Sequence, residues 1–359
     1  MAEFKLERLR TIMQPEPGNE MEAEGVLNPA AVRGKDGHLY LFPRMVAKGN
    51  YSRIGIARVK FNDAGDPVDV ERLGIALEPE ADYEKHNAGG GCEDPRVVYA
   101  EPLQHYVMNY VAFGPKGPRI AIARSNDLIH WERVGLARFS PYEHIKFEGI
   151  DNKDSAAFPC LIPNPDGEMQ MGIIHRPIFP GTSPEELRGD NGKGRNVDIH
   201  RESIWVSYCP FDLSMHKPAK NAHFTSHRLL AAPQADWEQL KIGCGTPPVK
   251  TPLGWMIIYH GVHENEHNDD KKKRLVYSAG IMIMSENDPC EILYRSAKPI
   301  MSPEREDEQV GTVANVVFPT GIDQRNDIGQ PNRFDIYYGM ADDRIGVARL
   351  NIPEMLPKA

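Results

Sequence analysis

The chain repeats itself. RIGIARV (53–59), RIAIARS (119–125) and RIGVARL (344–350) are near copies, and SIWVSYC (203–209) and LVYSAGIMI (275–283) fill the places between them. Each follows another apolar run: HLYLFPRMV (38–46), HYVMNYVAF (105–113), EMQMGIIHRP (168–177), GWMIIYHGV (254–262) and FDIYYGMA (334–341). Runs rich in Val, Ile, Tyr and Phe and bounded by turn residues read as strands. Helical periodicity is scarce; PEELRG near 184 and NIPEML in the tail are its best candidates. Five copies of an antiparallel unit without crossover helices predict an all-β chain built by radial repetition, a five-bladed β-propeller. A β-sandwich is the alternative, but near-identical strands should not return so regularly in one. Repeats of this kind cannot bury their faces alone, so residues 1–359, short terminal extensions included, are expected to form a single domain.

Composition narrows the partners. Hydrophobic residues make up 40% of the chain and charged residues 26%, enough apolar material for a large core and too much for disorder. The net charge of −9 argues against nucleic acid as a partner, while leaving room for a local basic pocket around one small anion. No run approaches 18 apolar residues, so no membrane span is expected. The opening MAEFKLERLRTIMQPEP has no apolar segment of signal-peptide length, which makes a cytoplasmic location the expectation. Five cysteines without a CxxC predict neither a disulfide framework nor a zinc ribbon.

Several polar clusters stand beside the strand runs. GCEDPR (91–96) sets Glu93 and Asp94 side by side ahead of the second unit, with Pro95 and Arg96 following; ordinary turn chemistry is the plain alternative. NKDSAAFP (152–159) carries Lys153 and Asp154, and the strand after it ends in His175 and Arg176. WEQLKIGCGTPP (237–248) contains Glu238 and Lys241, YHGVH (259–263) contains Tyr259 and His260, and two later motifs contribute Glu308 and Asp342. His260, His263 and His267 could be read as a metal cluster, but His263 and His267 sit in a charged run without a strand or helix to orient them, so no metal is expected. The long polar stretch 179–202 and the charged run HENEHNDDKKKR (263–274) read as loops. No P-loop, GxSxG or dinucleotide fingerprint is present.

Carboxylates at several blade ends around one channel suit glycoside cleavage, in which the leaving oxygen must be protonated and an oxocarbenium-like transition state stabilised. If phosphate were the attacker, a cluster of Lys, His and Arg would have to hold it, with the guanidinium offering a planar fork.

Taken in order, NPAAV (28–32), GCEDPR, DLIHWERVG (127–135), NKDSAAFP, HRP (175–177), WEQLKIGCGTPP, GWMIIYHGV, EQVGTVANVVFPTG (308–321) and IYYGMAD (336–342) resemble glycoside hydrolase family 130, the β-mannoside phosphorylases and mannosidases. The resemblance runs over nearly the whole chain, and the family's five-bladed propeller agrees with the repeat count. It implies inverting cleavage of a terminal β-mannoside by inorganic phosphate, releasing α-mannose 1-phosphate and a shortened acceptor, with phosphate as co-substrate and no other cofactor. Asp94 matches the general acid, which in the phosphorylases passes its proton through a mannose hydroxyl. Lys153, His175, Arg176 and Tyr259 fall at phosphate-holding positions. Arg44, Glu308 and Asp342 match substrate contacts, and Asp154 joins them by position. The family often assembles, so a homo-oligomer is the expectation.

Three departures bear on the attacker. Lys153 stands where some phosphorylases have Arg, and GPKGPR (114–119) offers only Lys116 or Arg119 where some have a further Arg. The insertion also ends at Glu202, close to the HRP strand. The alternative is therefore an inverting β-mannosidase with Glu202 or Glu238 as base, and a non-catalytic carbohydrate-binding propeller is the third reading.

Overall fold

In the computed structural model the chain forms five antiparallel blades arranged around an axis. The structure describes residues 3–86, 89–142, 145–179, 201–212, 217–218, 222–266 and 273–357. Blade one is Gly25–Arg33, Leu39–Ala47, Tyr51–Phe61 and Pro67–Leu77, from the innermost strand outwards. Blade two is Gly90–Ala100, His105–Gly114, Gly117–Ser125 and Glu132–Leu136. Asp151–Ala157, Met169–Ile178, Ile204–Cys209 and His223–Ala231 form blade three, and Lys241–Cys244, Gly254–Glu266, Lys273–Met284 and Ile292–Arg295 form blade four. Blade five contributes Val317–Gln324, Arg333–Met340 and Arg344–Asn351, and the amino-terminal strand Lys5–Met13 completes it from outside. The fold is a five-bladed β-propeller closed by its own first strand.

The apolar runs of the sequence are the second and third strands of each blade. Both their faces are buried, which is why they read as near-continuous hydrophobic stretches. Successive side chains point to opposite neighbours: Ile257 packs toward blade three and Ile258 toward blade five, and Ile173 and Ile174 divide likewise between blades two and four. Five inter-blade cores result, one for each junction. The junction between blades one and five adds a buried ionic seam, in which Arg33 grips Asp323 at 2.8 and 2.7 Å and Arg333 reaches Asp66 at 2.8 Å.

Four blades repeat one buried staple. A glutamate ahead of the innermost strand accepts backbone N–H groups from its own turn and an arginine from an outermost strand. Glu84 takes Glu80 N and Ala81 N with Arg133 Nε at 2.9 Å, and accepts from the Tyr110 hydroxyl at 2.5 Å. Glu308 takes Glu304 N and Arg305 N, Arg8 Nε at 2.7 Å and the Tyr338 hydroxyl at 3.0 Å. Glu238 takes Gln234 N and Ala235 N with Arg295 Nη2 at 2.7 Å, and Arg295 Nε also donates to the Tyr259 hydroxyl at 3.3 Å. Glu22 takes Glu16 N and two bonds from Arg72. In blade three Phe147, His227 and His175 fill this place. The Ser207 hydroxyl links the two imidazoles, lying 2.7 Å from His175 Nε2 and 2.6 Å from His227 Nδ1.

The tail 351–356 forms no helix, and the one α-helix among the described residues is the single turn Glu306–Gln309. PEELRG lies outside the described residues. The run 263–274 is not all loop, because the two long strands of blade four extend to Glu266 and resume at Lys273. Among the described residues no helix is long and apolar enough to cross a membrane.

Candidate active site

The polar motifs expected ahead of the strands are the innermost strands themselves. Those of blades one, two and three each carry a bulge: pairing slips between Leu27 and Ala30, between Glu93 and Arg96, and between Lys153 and Ala156. The residue in each bulge adopts a left-handed backbone, with φ of 43° at Asn28, 46° at Asp94 and 52° at Asp154. Asn and Asp tolerate this conformation better than bulkier residues. Three blades thereby present a short polar side chain at equivalent positions, and they meet. Asn28 Nδ2 donates to Asp94 Oδ1 at 2.9 Å, and Arg96 Nη2 lies 3.9 Å from Asp154 Oδ1. Neighbouring backbones make room for them: a Cβ on Gly339 would lie 2.0 Å from Asn28 Oδ1, and one on Gly243 2.2 Å from Asp154 Oδ2.

On one side stand the carboxylates. Arg44 Nη2 donates to Glu93 Oε1 at 2.8 Å, Nη1 faces Asp94 Oδ1 at 3.4 Å, and Nε is held by the Ser52 hydroxyl at 2.9 Å. Arg96 is fully buried and donates to the carbonyls of Asp94, Cys244 and Gly245, which fixes the Asp94 backbone to blade four. Burial raises the Asp94 carboxyl, but Arg44, Arg96, the Asn28 bond and Lys153 outweigh it and hold Asp94 below the usual range. Burial keeps Glu93 above that range despite Arg44. Asp342, in the turn after the second strand of blade five, is pushed up to about 6 by burial, with Asp94 and Glu93 reinforcing the shift against Arg44.

On the other side stand the cations. Arg176 Nε donates to Asp154 Oδ2 at 2.5 Å, and its Nη1 pairs with Glu202. Lys153 lies opposite Arg176 in the strand register. Lys241, at the start of blade four's innermost strand, is drawn down to about 8 by burial and by repulsion from Arg176, against the pull of Asp154. Its ammonium lies 5.7 Å from the centre of the Tyr277 ring. His260 Nε2 is 3.5 Å from Asp154 Oδ2, and neither ring nitrogen has a hydrogen-bond partner among the described residues. Burial holds its imidazole neutral, with an acidity near 3. Asp154 is held well below the carboxylate range, because Arg176, His260 and Arg96 overcome its burial.

Of the residues expected at the site, the structure brings together Asp94, Arg44, Lys153, Arg176, Asp154, Asp342 and Glu202. Four belong elsewhere. His175 and Tyr259 are fully buried on the strand faces turned away from this cluster, and Glu238 and Glu308 are staple carboxylates. Strand alternation explains the displacement of the first two. Aligning GIIHRP with MIIYHGV equates His175 with Tyr259 as inward-packed residues and Arg176 with His260 as the polar neighbours at the site. That alignment would have found His260; no comparable sequence signal distinguishes Lys241, Tyr277 or Asn28. Arg119 is engaged by Asp151 at 2.6 Å and Lys116 is exposed, so neither joins the cluster. His263 bonds the Trp237 carbonyl, facing away from His260, and His267 lies outside the described residues.

A five-bladed propeller whose innermost and second strands gather carboxylates and cations near the axis defines the class of propellers with a polar small-molecule site there. Residues 6–357 match the family model Glyco_hydro_130, described as beta-1,4-mannooligosaccharide phosphorylase. The chain belongs to glycoside hydrolase family 130. It is 29% identical over 362 residues to a 1,2-beta-oligomannan phosphorylase of Thermoanaerobacter sp. (strain X514), covering 98% of this chain and 99% of that protein. It is 33% identical over 277 residues to a beta-1,4-mannooligosaccharide phosphorylase of Ruminococcus albus, covering 77% and 68%. In fold it resembles the beta-1,2-mannobiose phosphorylase of Listeria innocua solved with beta-1,2-mannobiose, with a TM-score of 0.69 at 21% identity over 97% of each chain.

Proposed function

We propose that this protein is an inverting β-mannoside phosphorylase. The observation that carries the reading is the junction of two opposed charge arrays at Arg96 and Asp154: an acid with its arginine on one side, a cation cluster on the other. In this reading a terminal mannosyl unit lies between them. Asp94 supplies the proton for the leaving oxygen through a mannosyl hydroxyl, while Asn28 and Asp342 take further hydroxyls. Inorganic phosphate, held by Arg176, Lys153 and Lys241 with His260 and Tyr277 alongside, attacks the anomeric carbon from the opposite face. The glycosidic C–O bond breaks as the new C–O bond to phosphate forms, giving α-mannose 1-phosphate and an acceptor that keeps the proton. The earlier phosphate set is revised accordingly: Lys241, His260 and Tyr277 replace His175 and Tyr259. Asp154 acts on Arg176, orienting its guanidinium. A cytoplasmic setting completes the reading, supported by five cysteines that are all free thiols.

A second reading has its own observation. Glu202 occupies Arg176 Nη1, so a carboxylate rests where phosphate would bind. With Glu202 as base for water, the same acid would perform inverting hydrolysis. Product analysis on β-1,2- and β-1,4-mannobiose with and without inorganic phosphate decides. Mannose 1-phosphate formed only with phosphate is the expected result; free mannose at an unchanged rate without it overturns phosphorolysis.

A further inference from the structure

Glu93 and Asp94 are adjacent in sequence, and in a regular strand adjacent side chains point to opposite faces. The bulge at Asp94 and Pro95 breaks that alternation, so both carboxylates reach one guanidinium. They do not share it equally. Arg44 Nη2 lies 2.8 Å from Glu93 Oε1, whereas its Nη1 stands 3.4 Å from Asp94 Oδ1. The remaining Arg44 donors are fixed from the other side by Ser52 at 2.9 Å and Asn50 at 3.2 Å, which prevents the guanidinium from sliding toward Asp94. The shorter bond to Asp94 comes from the neutral amide of Asn28. Only 4% of the Glu93 side chain is exposed, against 12% for Asp94. Glu93 is therefore sealed from substrate and acts through Arg44.

We infer that Glu93 is a positioning residue for the acid: by holding Arg44 it leaves Asp94 one long contact to that cation, and so limits how far Arg44 weakens the hold of the Asp94 carboxyl on its proton. A carboxylate gripped by a bidentate arginine gives up its proton too readily to serve as an acid near neutral pH. The groups facing Asp94 are Asn28 and Arg44 from blade one, Glu93 and Arg96 from its own strand, Lys153 from blade three and Asp342 from blade five. Among these Glu93 is the one anion bonded to the cation nearest the acid. Its raised proton affinity and the lowered affinity of Asp94 fit two carboxyls titrating as a pair.

The inference rests on Asp94 as the acid of β-mannoside cleavage, and the test keeps the two apart. The pH dependence of kcat/KM is measured for wild type, Glu93→Gln and Glu93→Asp with β-1,2-mannobiose or β-1,4-mannobiose, whichever the wild type cleaves, and with 2,4-dinitrophenyl β-mannoside, whose leaving group needs no proton. Glu93→Gln should move the basic limb for the disaccharide down by about one pH unit and lower kcat/KM at pH 7.5 by about tenfold, while changing the dinitrophenyl substrate less than about threefold. Glu93→Asp, which keeps the charge, should hold the limb close to wild type. If Glu93→Gln melts below the assay temperature, Arg44→Gln carries the test with the opposite sign, moving the limb up. An unmoved limb, or equal losses on both substrates, overturns the inference while leaving Asp94 as acid. Wild-type protein that cleaves no mannoside, or an Asp94→Asn variant at full rate, overturns the underlying reading and the inference with it.

Discussion

Arg176 Nε and Asp154 Oδ2 are joined at 2.5 Å, with both side chains almost wholly buried. This pair fixes one edge of the Arg176 guanidinium and turns its Nη groups toward Glu202 and the space shared with Lys241 and Tyr277. A planar fork held along one edge offers its remaining donors in a set direction, which suits an oxyanion better than a freely rotating ammonium. Asp154→Asn should therefore raise the KM for phosphate by about tenfold or more and change kcat at saturating phosphate much less, as measured by initial rates over a phosphate series.

Turnover should depend on Asp94 far more than binding does. Asp94→Asn is expected to lower kcat on β-mannobiosides by at least about a hundredfold. Calorimetric affinity for the same disaccharide should stay within about threefold of wild type. A chain that binds and never cleaves, with or without the substitution, would instead be a carbohydrate-binding propeller.

Lys241 should give phosphate binding a pH dependence. Its ammonium is lowered to about 8 by burial and by Arg176, so the cation is present below that pH and lost above it. The KM for phosphate should rise between pH 7.5 and 9, and Lys241→Met should show a high KM at every pH.

Glu202 separates the two reactions. Phosphorolysis predicts that Glu202→Gln keeps or lowers the KM for phosphate, because a competing anion leaves Arg176. Hydrolysis predicts that the same change removes most of the turnover in phosphate-free buffer.

The staples should govern stability and leave chemistry alone. Glu308→Gln breaks a buried pair with Arg8, a change that costs about 3 kcal/mol or more. The melting temperature should fall while kcat per folded molecule stays within about twofold. Glu84 and Glu308 sit below their ordinary value of 4.5, since arginine and tyrosine or backbone bonds outweigh burial. Their stabilisation is full above that pH and is lost as pH falls through the lowered folded values. His227 adds to the acid sensitivity. Burial depresses it from 6.5 to about 4, so the unfolded chain takes up its proton first and stability declines as pH falls from 6.5 toward 4. Melting temperatures from pH 8 to 4 check both trends.

Five blades, their second and third strands and the motifs beside them were legible in the sequence, because strands buried on both faces must be apolar along their length and the repeat shows them five times. The same motifs supplied Asp94, Arg44, Lys153 and Arg176, which the structure brings into one cluster. His175 and Tyr259 lie off the cluster because alternate residues of a strand face opposite neighbours. Glu238 and Glu308 lie off it because they sit in short turns ahead of the innermost strands, where backbone N–H groups and an arginine hold them. In blade two the bulge turns both Glu93 and Asp94 to one arginine, and in blade three it carries Asp154 to Arg176. The sequence by itself determined the repeat, the strand content and the residue types available for chemistry. Only the tertiary structure decided which of them meet, because the partners come from different blades and the phase of each strand is set by packing against its neighbours.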